Sequence, residues 1–369
     1  MRHRLYGTRR GIFLSPSKVC QACGVPLSIT RNHSWERDGR ILSRGSLQRM
    51  VIVERKIVGG LLDRARERLG AEVMDTFVQA KAMDAFRYTR SLLGLWGRIM
   101  VTRDLRRRYI YDFLCQQSRN LGMADARVVD YRRGWSLVIA CSQCYSEQLF
   151  QGDILGAVVA CEDKGGLVRS FREGGEILFE VSLTGDDHHG IGGGYPFSWE
   201  PAVPGNRRFR RCSACGAPFS VSFLAWDMGR GLVVDTFSGE PVVFLDAASI
   251  NVVHREMLAR HGESVDGLLA RGIKKLVDEL LPGLQWKRRL PEDRVRDLFF
   301  LAYRGMGNPV CTEPAGDGIL VRVENPFNYP VVAGITASFI GRGNDVEWEW
   351  RKAGPGVLVV WVAARDGKD

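Results

Sequence analysis

The sequence predicts an α/β (α+β) chain: a tandem duplication of one mixed α/β domain, each copy opened by a short cysteine knuckle, the copies arranged as a pseudo-twofold dimer. Three observations predict it. A Cys-x-x-Cys-Gly-x-Pro segment occurs twice, elements of the same kind follow it in the same order both times, and the cysteine usage suits metal ligation better than disulfides.

The repeat is read first because it decides everything behind it. Residues 20–29 read Cys-Gln-Ala-Cys-Gly-Val-Pro-Leu-Ser-Ile and residues 212–221 read Cys-Ser-Ala-Cys-Gly-Ala-Pro-Phe-Ser-Val, identical at six of ten positions. A turn from Trp35 to Gly39, or from Trp226 to Gly229, follows each. Next come a β-branched strand (50–53 and 242–245) and a helix (54–69 and 246–261), each helix stopped by a glycine, Gly70 or Gly262, suited to a left-handed C-cap. A second helix is expected over 71–95 and 263–281, and a third carries residues 110–114 or 295–299. An alternating strand (135–140 and 318–323), a Gly/Ala-rich apolar segment (152–160 and 334–340) and a closing hairpin (168–171 with 177–181, and 346–350 with 357–362) complete each copy. The boundaries that follow are 1–184 for the first repeat (knuckle 18–41, α/β domain 47–183), 185–206 for a linker and 207–369 for the second (knuckle 210–232, α/β domain 240–364).

The knuckles carry the clearest chemistry. Two cysteines separated by two residues clasp one edge of a thiolate tetrahedron, the geometry zinc prefers. Glycine after the second cysteine lets the backbone fold back toward sulfur, and proline ends the turn. A redox dithiol would sit at a helix N-terminus, whereas residues 27–30 and 219–222 read as β-like. The knuckles are therefore read as zinc-ribbon-like. A structural zinc needs four ligands, and a pseudo-twofold packing of the copies brings Cys20, Cys23, Cys212 and Cys215 to one shared site. A competing arrangement pairs Cys20 and Cys23 with Cys141 and Cys144, but leaves Cys212 and Cys215 without partners, since the second copy has Asn325 and Asn328 at the aligned positions.

Nine cysteines, an odd number, argue against a closed disulfide framework. Cys141, Cys144 and Cys161 occur in the first copy alone and could form a second metal site completed by Glu147, Glu162 or water; Cys115 and Cys311 read as small buried hydrophobes. His188 and His189 read as a solvated pair within the Gly-rich linker. The net charge of +10 comes from 43 Arg and 9 Lys scattered among acids. Basic residues do precede both knuckles, namely Arg9 and Arg10, then Arg207, Arg208, Arg210 and Arg211. No run of about 18 apolar residues would cross a membrane, and the basic start lacks the apolar segment of a secretory signal. A cytoplasmic protein without membrane insertion is expected.

The strand–helix–Gly units (51–70 and 242–262), the third helix, and residues 325–339 with their Pro-Val-Val-Ala-Gly-Ile-Thr-Ala-Ser resemble the 4-vinyl reductase domain family over about 130 residues of each copy, the knuckles excluded. That resemblance implies an α/β domain with an internal apolar pocket, a small hydrophobic or aromatic ligand, and a sensory or accessory role. The family's sensor members carry cysteines near the closing hairpin, and neither hairpin here has any. Phe77, Phe86, Tyr88, Trp96, Tyr109 and Phe113 would line the first pocket, and Phe299, Phe300, Tyr303 and Phe327 the second. The alternatives are a nucleic-acid-binding zinc-knuckle protein and a metalloenzyme or redox protein centred on Cys141, Cys144 and Cys161. Phosphate-binding loops, His-Glu metal motifs and nucleophile signatures are absent from the sequence.

Overall fold

A computed structural model describes residues 18–102, 107–185, 200–280, 298–341 and 345–364; the side chains of 95–102 and 107 lie outside the description. Arg9, Arg10, His188 and His189, and the side chain of Trp96, fall outside these residues.

The fold is mixed α/β, organised on a six-stranded antiparallel sheet to which each half of the chain gives three strands. From the first half come β1 (His33–Trp35), β2 (Ile41–Ser43) and β3 (Arg49–Glu54). From the second come β8 (Leu224–Asp227), β9 (Leu232–Asp235) and β10 (Pro241–Asp246). The order is β1-β2-β3-β10-β9-β8. At the seam Val53 faces Val243, Ile52 faces Phe244 and Val51 faces Leu245. These side chains are wholly buried, which is why both strands read as continuous apolar runs instead of alternating ones. Each seam strand also takes a carbonyl from the opposite half: Ile52 N donates to Arg304 O and Phe244 N to Leu121 O, both at 2.9 Å.

Helices α2 (Arg55–Leu69) and α6 (Ala247–His261) follow the seam strands directly. Gly70 and Gly262 end them at positive φ, 83° and 70°, but with ψ of 171° and −170°. The expected left-handed cap is therefore replaced by an extended exit at positive φ, a conformation open essentially to glycine. Then come α3 (Val73–Thr102), broken at Gly94 (φ 58°, ψ −170°), and α7 (Ser264–Leu280).

Each half adds a four-stranded antiparallel sheet of the same order. In the first half β4 (Arg127–Arg132), β5 (Ser136–Cys141), β6 (Gly166–Glu173) and β7 (Glu176–Leu183) run β4-β5-β7-β6. In the second half β11 (Asn308–Ala315), β12 (Gly318–Glu324), β13 (Val346–Gly354) and β14 (Val357–Ala364) run β11-β12-β14-β13. The Gly/Ala-rich segments are helices, α5 (Glu147–Glu162) and α9 (Tyr329–Gly341), buried on nearly every side. Their glycines allow backbone contact: a Cβ on Gly156 would lie 2.0 Å from Ala82 O, and one on Gly334 2.4 Å from Ala270 O. The third helix of the first half is α4 (Arg107–Asn120), and the described part of its counterpart is the single turn α8 (Phe299–Tyr303).

Candidate functional site

The two knuckles fold alike and meet. In each, the first cysteine's N–H bonds the carbonyl five residues on (Cys20 N to Val25 O 2.9 Å, Cys212 N to Ala217 O 2.8 Å), and the glycine N–H returns to that cysteine's carbonyl (2.8 and 2.9 Å). Gly24 and Gly216 hold φ of +74° and +77°, the left-handed region the reversal requires. Isolated bridges, Val19 with Pro26 and Arg211 with Pro218, close the loops.

The segments behind the prolines are not β-like as expected. Leu27–Asn32 is a short α-helix, α1, and Phe219–Phe223 a 3₁₀ turn. Their alternation of apolar and hydroxyl residues has a helical cause: Ile29 and Val221 point inward, wholly buried. The hydroxyls of Thr30 and Ser222 bond the carbonyls three residues back, at 3.2 and 2.7 Å. Such local bonds give Ser and Thr a helical-turn role that alternation alone hides.

Cys20, Cys23, Cys212 and Cys215 lie together, with sulfurs within 4.8 Å of one another, in a group that could hold a metal ion. Cys20 Sγ is 3.7 Å from Cys212 Sγ, and Cys23 Sγ is 3.5 Å from Cys215 Sγ. A tetrahedron of thiolates about 2.3 Å from a zinc ion has edges of about 3.8 Å, so the four sulfurs fit that ion. Burial pushes the Cys23 and Cys215 thiols up, whereas N–H donors of Cys215 and Ala214 lower Cys212 to about 7. The competing arrangement through Cys141 and Cys144 does not occur. Indole staples hold the knuckles across the seam: Trp35 Nε1 donates to Tyr303 O at 2.8 Å and Trp226 Nε1 to Asn120 O at 3.0 Å.

Among the described residues, the knuckle cysteines are the one set of three or more Cys, His or carboxylate groups so gathered. Cys141, Cys144 and Cys161 form no such set. Cys141 ends β5 and is hydrogen-bonded to Cys144, which lowers the Cys144 thiol with help from Arg55, while Cys161 sits buried on α5. Glu162, offered as a further ligand, instead accepts from Tyr111 Oη at 2.6 Å and Tyr131 Oη at 3.1 Å. Glu147 accepts from Ser170 and Arg172.

A cavity of about 100 Å³ lies in the first half between α3, α4, α5 and β5. Of the five described aromatics expected there, Tyr88 alone lines it. Phe77 is packed in the core, Phe86 lies under Arg90 and Tyr109 faces solvent. The remaining apolar wall is mostly aliphatic, with Tyr111 and Phe150 in it, and the polar lining includes Lys81, Asp84, Asp153, Ser118 and, reaching over from the second half, Asp246. Lys81 Nζ pairs with Asp153 Oδ1 at 3.1 Å, and Tyr145 Oη donates to Asp153 Oδ2 at 2.8 Å. Asp246 Oδ1 caps α6 by accepting from Ala248 N, but its Oδ2 and Ser118 Oγ have no hydrogen-bond partner, although both residues are at least nine-tenths buried. Burial, then the neighbouring Asp246, pushes Asp84 up to about 8; burial raises Asp246 to about 6 against the pull of Lys81. Burial alone would depress Lys81, but Asp153, Asp84 and Asp246 hold it above its ordinary value. The one signal of this cluster in the sequence is an acid, Asp153, inside the apolar run that forms α5.

The cavity and the knuckle are linked. His33 Nδ1 is 2.9 Å from Ile29 O in α1, so that nitrogen carries the proton, and Nε2 accepts from Tyr88 Oη at 3.5 Å. Burial lowers His33 to about 4, keeping it neutral in this role.

A wider cavity of about 630 Å³ lies between the halves, lined by Arg49 of the first and by Glu200, His254, Tyr329 and Trp350 among others. Phe327 alone of the four aromatics expected there contributes.

No family model matches the chain, and neither a curated protein nor a solved structure matches it.

Proposed function

We propose that this chain is a zinc-stabilised small-molecule-binding protein, sensory or accessory in role, built from two duplicated halves that a shared four-cysteine ion clamps at their seam. The ligand site is the cavity of the first half. The observation that carries the reading is that cavity's wall, where two polar groups are buried without partners beside a Lys–Asp pair. Buried polar atoms are normally satisfied, and concave apolar sites with a few convergent polar groups are where small ligands bind. The Tyr88–His33–Ile29 chain gives ligand entry a physical route to the clamped knuckle.

The nucleic-acid alternative draws less support, because the basic flank of the second knuckle is largely engaged within the fold. Arg207 bonds Asn308 and Pro309, Arg211 bonds Gly216 and Trp35, and Arg210 lies over Phe219.

The test is a melting-temperature screen of metal-loaded protein against small polar-headed compounds, in parallel with Ala157→Phe. Ala157 lines the cavity, and a phenyl group there fills it. Compounds that raise the melting temperature of the wild-type protein and not of the filled variant support the reading. Equal shifts in both proteins, or none in either, overturn it.

A further inference from the structure

We propose that the first-half cavity takes a small primary amine, its ammonium seated between Asp84 and Asp246 and its short apolar tail against Leu137, Ile139 and Phe150. This rests on the ligand-binding reading above and names the ligand class.

Charge comes first. Three carboxylates, Asp84, Asp153 and Asp246, line the cavity against one ammonium, Lys81, and the Arg87 guanidinium, outside the lining, also acts on Asp84 and Asp246. Lys81 is committed to Asp153. Asp84 has a weak bond from Ser249 Oγ, at 3.4 Å, and Asp246 has the Gln48 side chain as a loose hydrogen-bond neighbour, no donor meeting its Oδ2 in full geometry. An isolated buried carboxylate is costly unless paired or protonated. Both groups are held well above the usual carboxylate range, so the empty pair retains a proton near neutral pH. A cationic head that donates several hydrogen bonds replaces that proton and supplies the missing partner at Asp246. The three carboxylates are not gathered into one set of metal ligands.

The other half of the chain offers an internal control. Gly152 lies against Val78 O and Lys81 Cβ, and Gly334 against Ala270 O and Ile273 Cβ, so Lys81 and Ile273 hold corresponding places. Three residues further on the first half has Asp84 and the second Leu276; one residue after the glycine the first has Asp153 and the second Ile335. The second half packs this region with aliphatic side chains, so the charged cluster, its lysine included, is an addition confined to the first half.

Size sets the rest. A cavity of about 150 Å³ lined by aliphatic groups accommodates benzene, so about 100 Å³ holds roughly four or five heavy atoms. Isobutylamine and isobutanol share one shape and differ in the head, and isobutyrate, one heavy atom larger, reverses the head's charge. Titrated calorimetrically into zinc-loaded protein, the amine is expected to bind at least tenfold more tightly than the alcohol and isobutyrate not at all. Asp84→Asn, checked for unchanged zinc content and circular dichroism, should weaken the amine at least tenfold and leave the alcohol unaffected. If the alcohol binds as well as the amine, or isobutyrate binds better, the cavity is a ligand site and the amine inference is overturned. If none of the three binds, the cavity holds water alone and both readings fall. Should Asp84→Asn fail to fold, the comparison of the three probes on wild-type protein decides.

Discussion

Replacing Cys215 by serine removes one vertex of the four-sulfur site and leaves the seam strands untouched. The magnitude follows from the site. Structural zinc centres show apparent binding free energies of about 10–16 kcal/mol, which correspond to dissociation constants between about 5 × 10⁻⁸ and 2 × 10⁻¹² M. At about 1 µM free zinc an ion bound to the folded chain alone stabilises it by about 2–8 kcal/mol. That is a large share of the 5–15 kcal/mol typical of a domain. It does not create the fold by itself, because Val51, Ile52, Val53, Val243, Phe244 and Leu245 bury the seam independently of any ion. The variant should therefore remain folded but lose stoichiometric zinc, and its urea midpoint should no longer respond to a chelator. Wild-type protein should bind one zinc per chain in this site and fall to the variant's midpoint when the metal is removed. Cys20→Ser, on the other knuckle, should do the same, since Cys20 lies 3.7 Å from Cys212 within the same group. Retention of a full equivalent of zinc by either variant, or a chelator response that survives both substitutions, would refute the shared site.

Three further outcomes follow from packing and charge. Gly156→Ala forces a methyl group to within 2.0 Å of the Ala82 carbonyl and should cost about 1–3 kcal/mol, whereas Gly59→Ala meets nothing within 4 Å on α2 and should add up to about 1 kcal/mol; urea titration of both reads the contrast. Arg304 is buried between Glu54 and Asp235, so Arg304→Met should destabilise by about 3–5 kcal/mol through the carboxylates left behind, and adding Glu54→Gln should recover part of the loss by the same assay. Asp84, held at about 8 against about 3.9 in an unfolded chain, binds a proton in the native state that unfolding releases. Its contribution to stability therefore falls as pH rises from about 4 to about 8, by at most about 1.4 kcal/mol per pH unit. Between pH 6.5 and 8.0, above the range in which His33 titrates, the stability of Asp84→Asn relative to wild type should rise with pH. Zinc binding, itself pH-dependent, cancels in that difference, and a flat difference would remove Asp84 from the account.

What the sequence discloses here depends on how local the cause is. The seam strands, the helices behind them and both closing hairpins are legible because apolar runs, period and glycine stops lie within each segment. The joined knuckles are legible for another reason: four thiolates need one ion, and each knuckle supplies two. Strands β4 and β11 escape because they are edge strands. Arg127, Asp130 and Arg132 face outward on β4, and Pro309 and Pro314 interrupt β11, features that belong at a sheet edge and read as loop. The cavity escapes because its walls come from six elements of both halves, and because most of the aromatics that suggest a pocket lie elsewhere. Its polar end rests on Asp246, which by sequence alone is only the residue before a helix.

The two sites draw on the halves differently. The four-cysteine group takes two residues of matching Cys-x-x-Cys segments from each half, at the seam. The polar cavity uses residues the halves do not share, Asp84 and Asp153 against Leu276 and Ile335. Yet it is completed by Asp246 from across the seam, the residue that also caps α6. Any change in the register of β3 against β10 therefore moves Asp246 relative to Asp84 and alters the cavity directly. An ion that fixes that register keeps the two carboxylates at one separation. On this argument zinc removal should weaken ligand binding in a chain that is still folded, even though no thiolate touches the cavity.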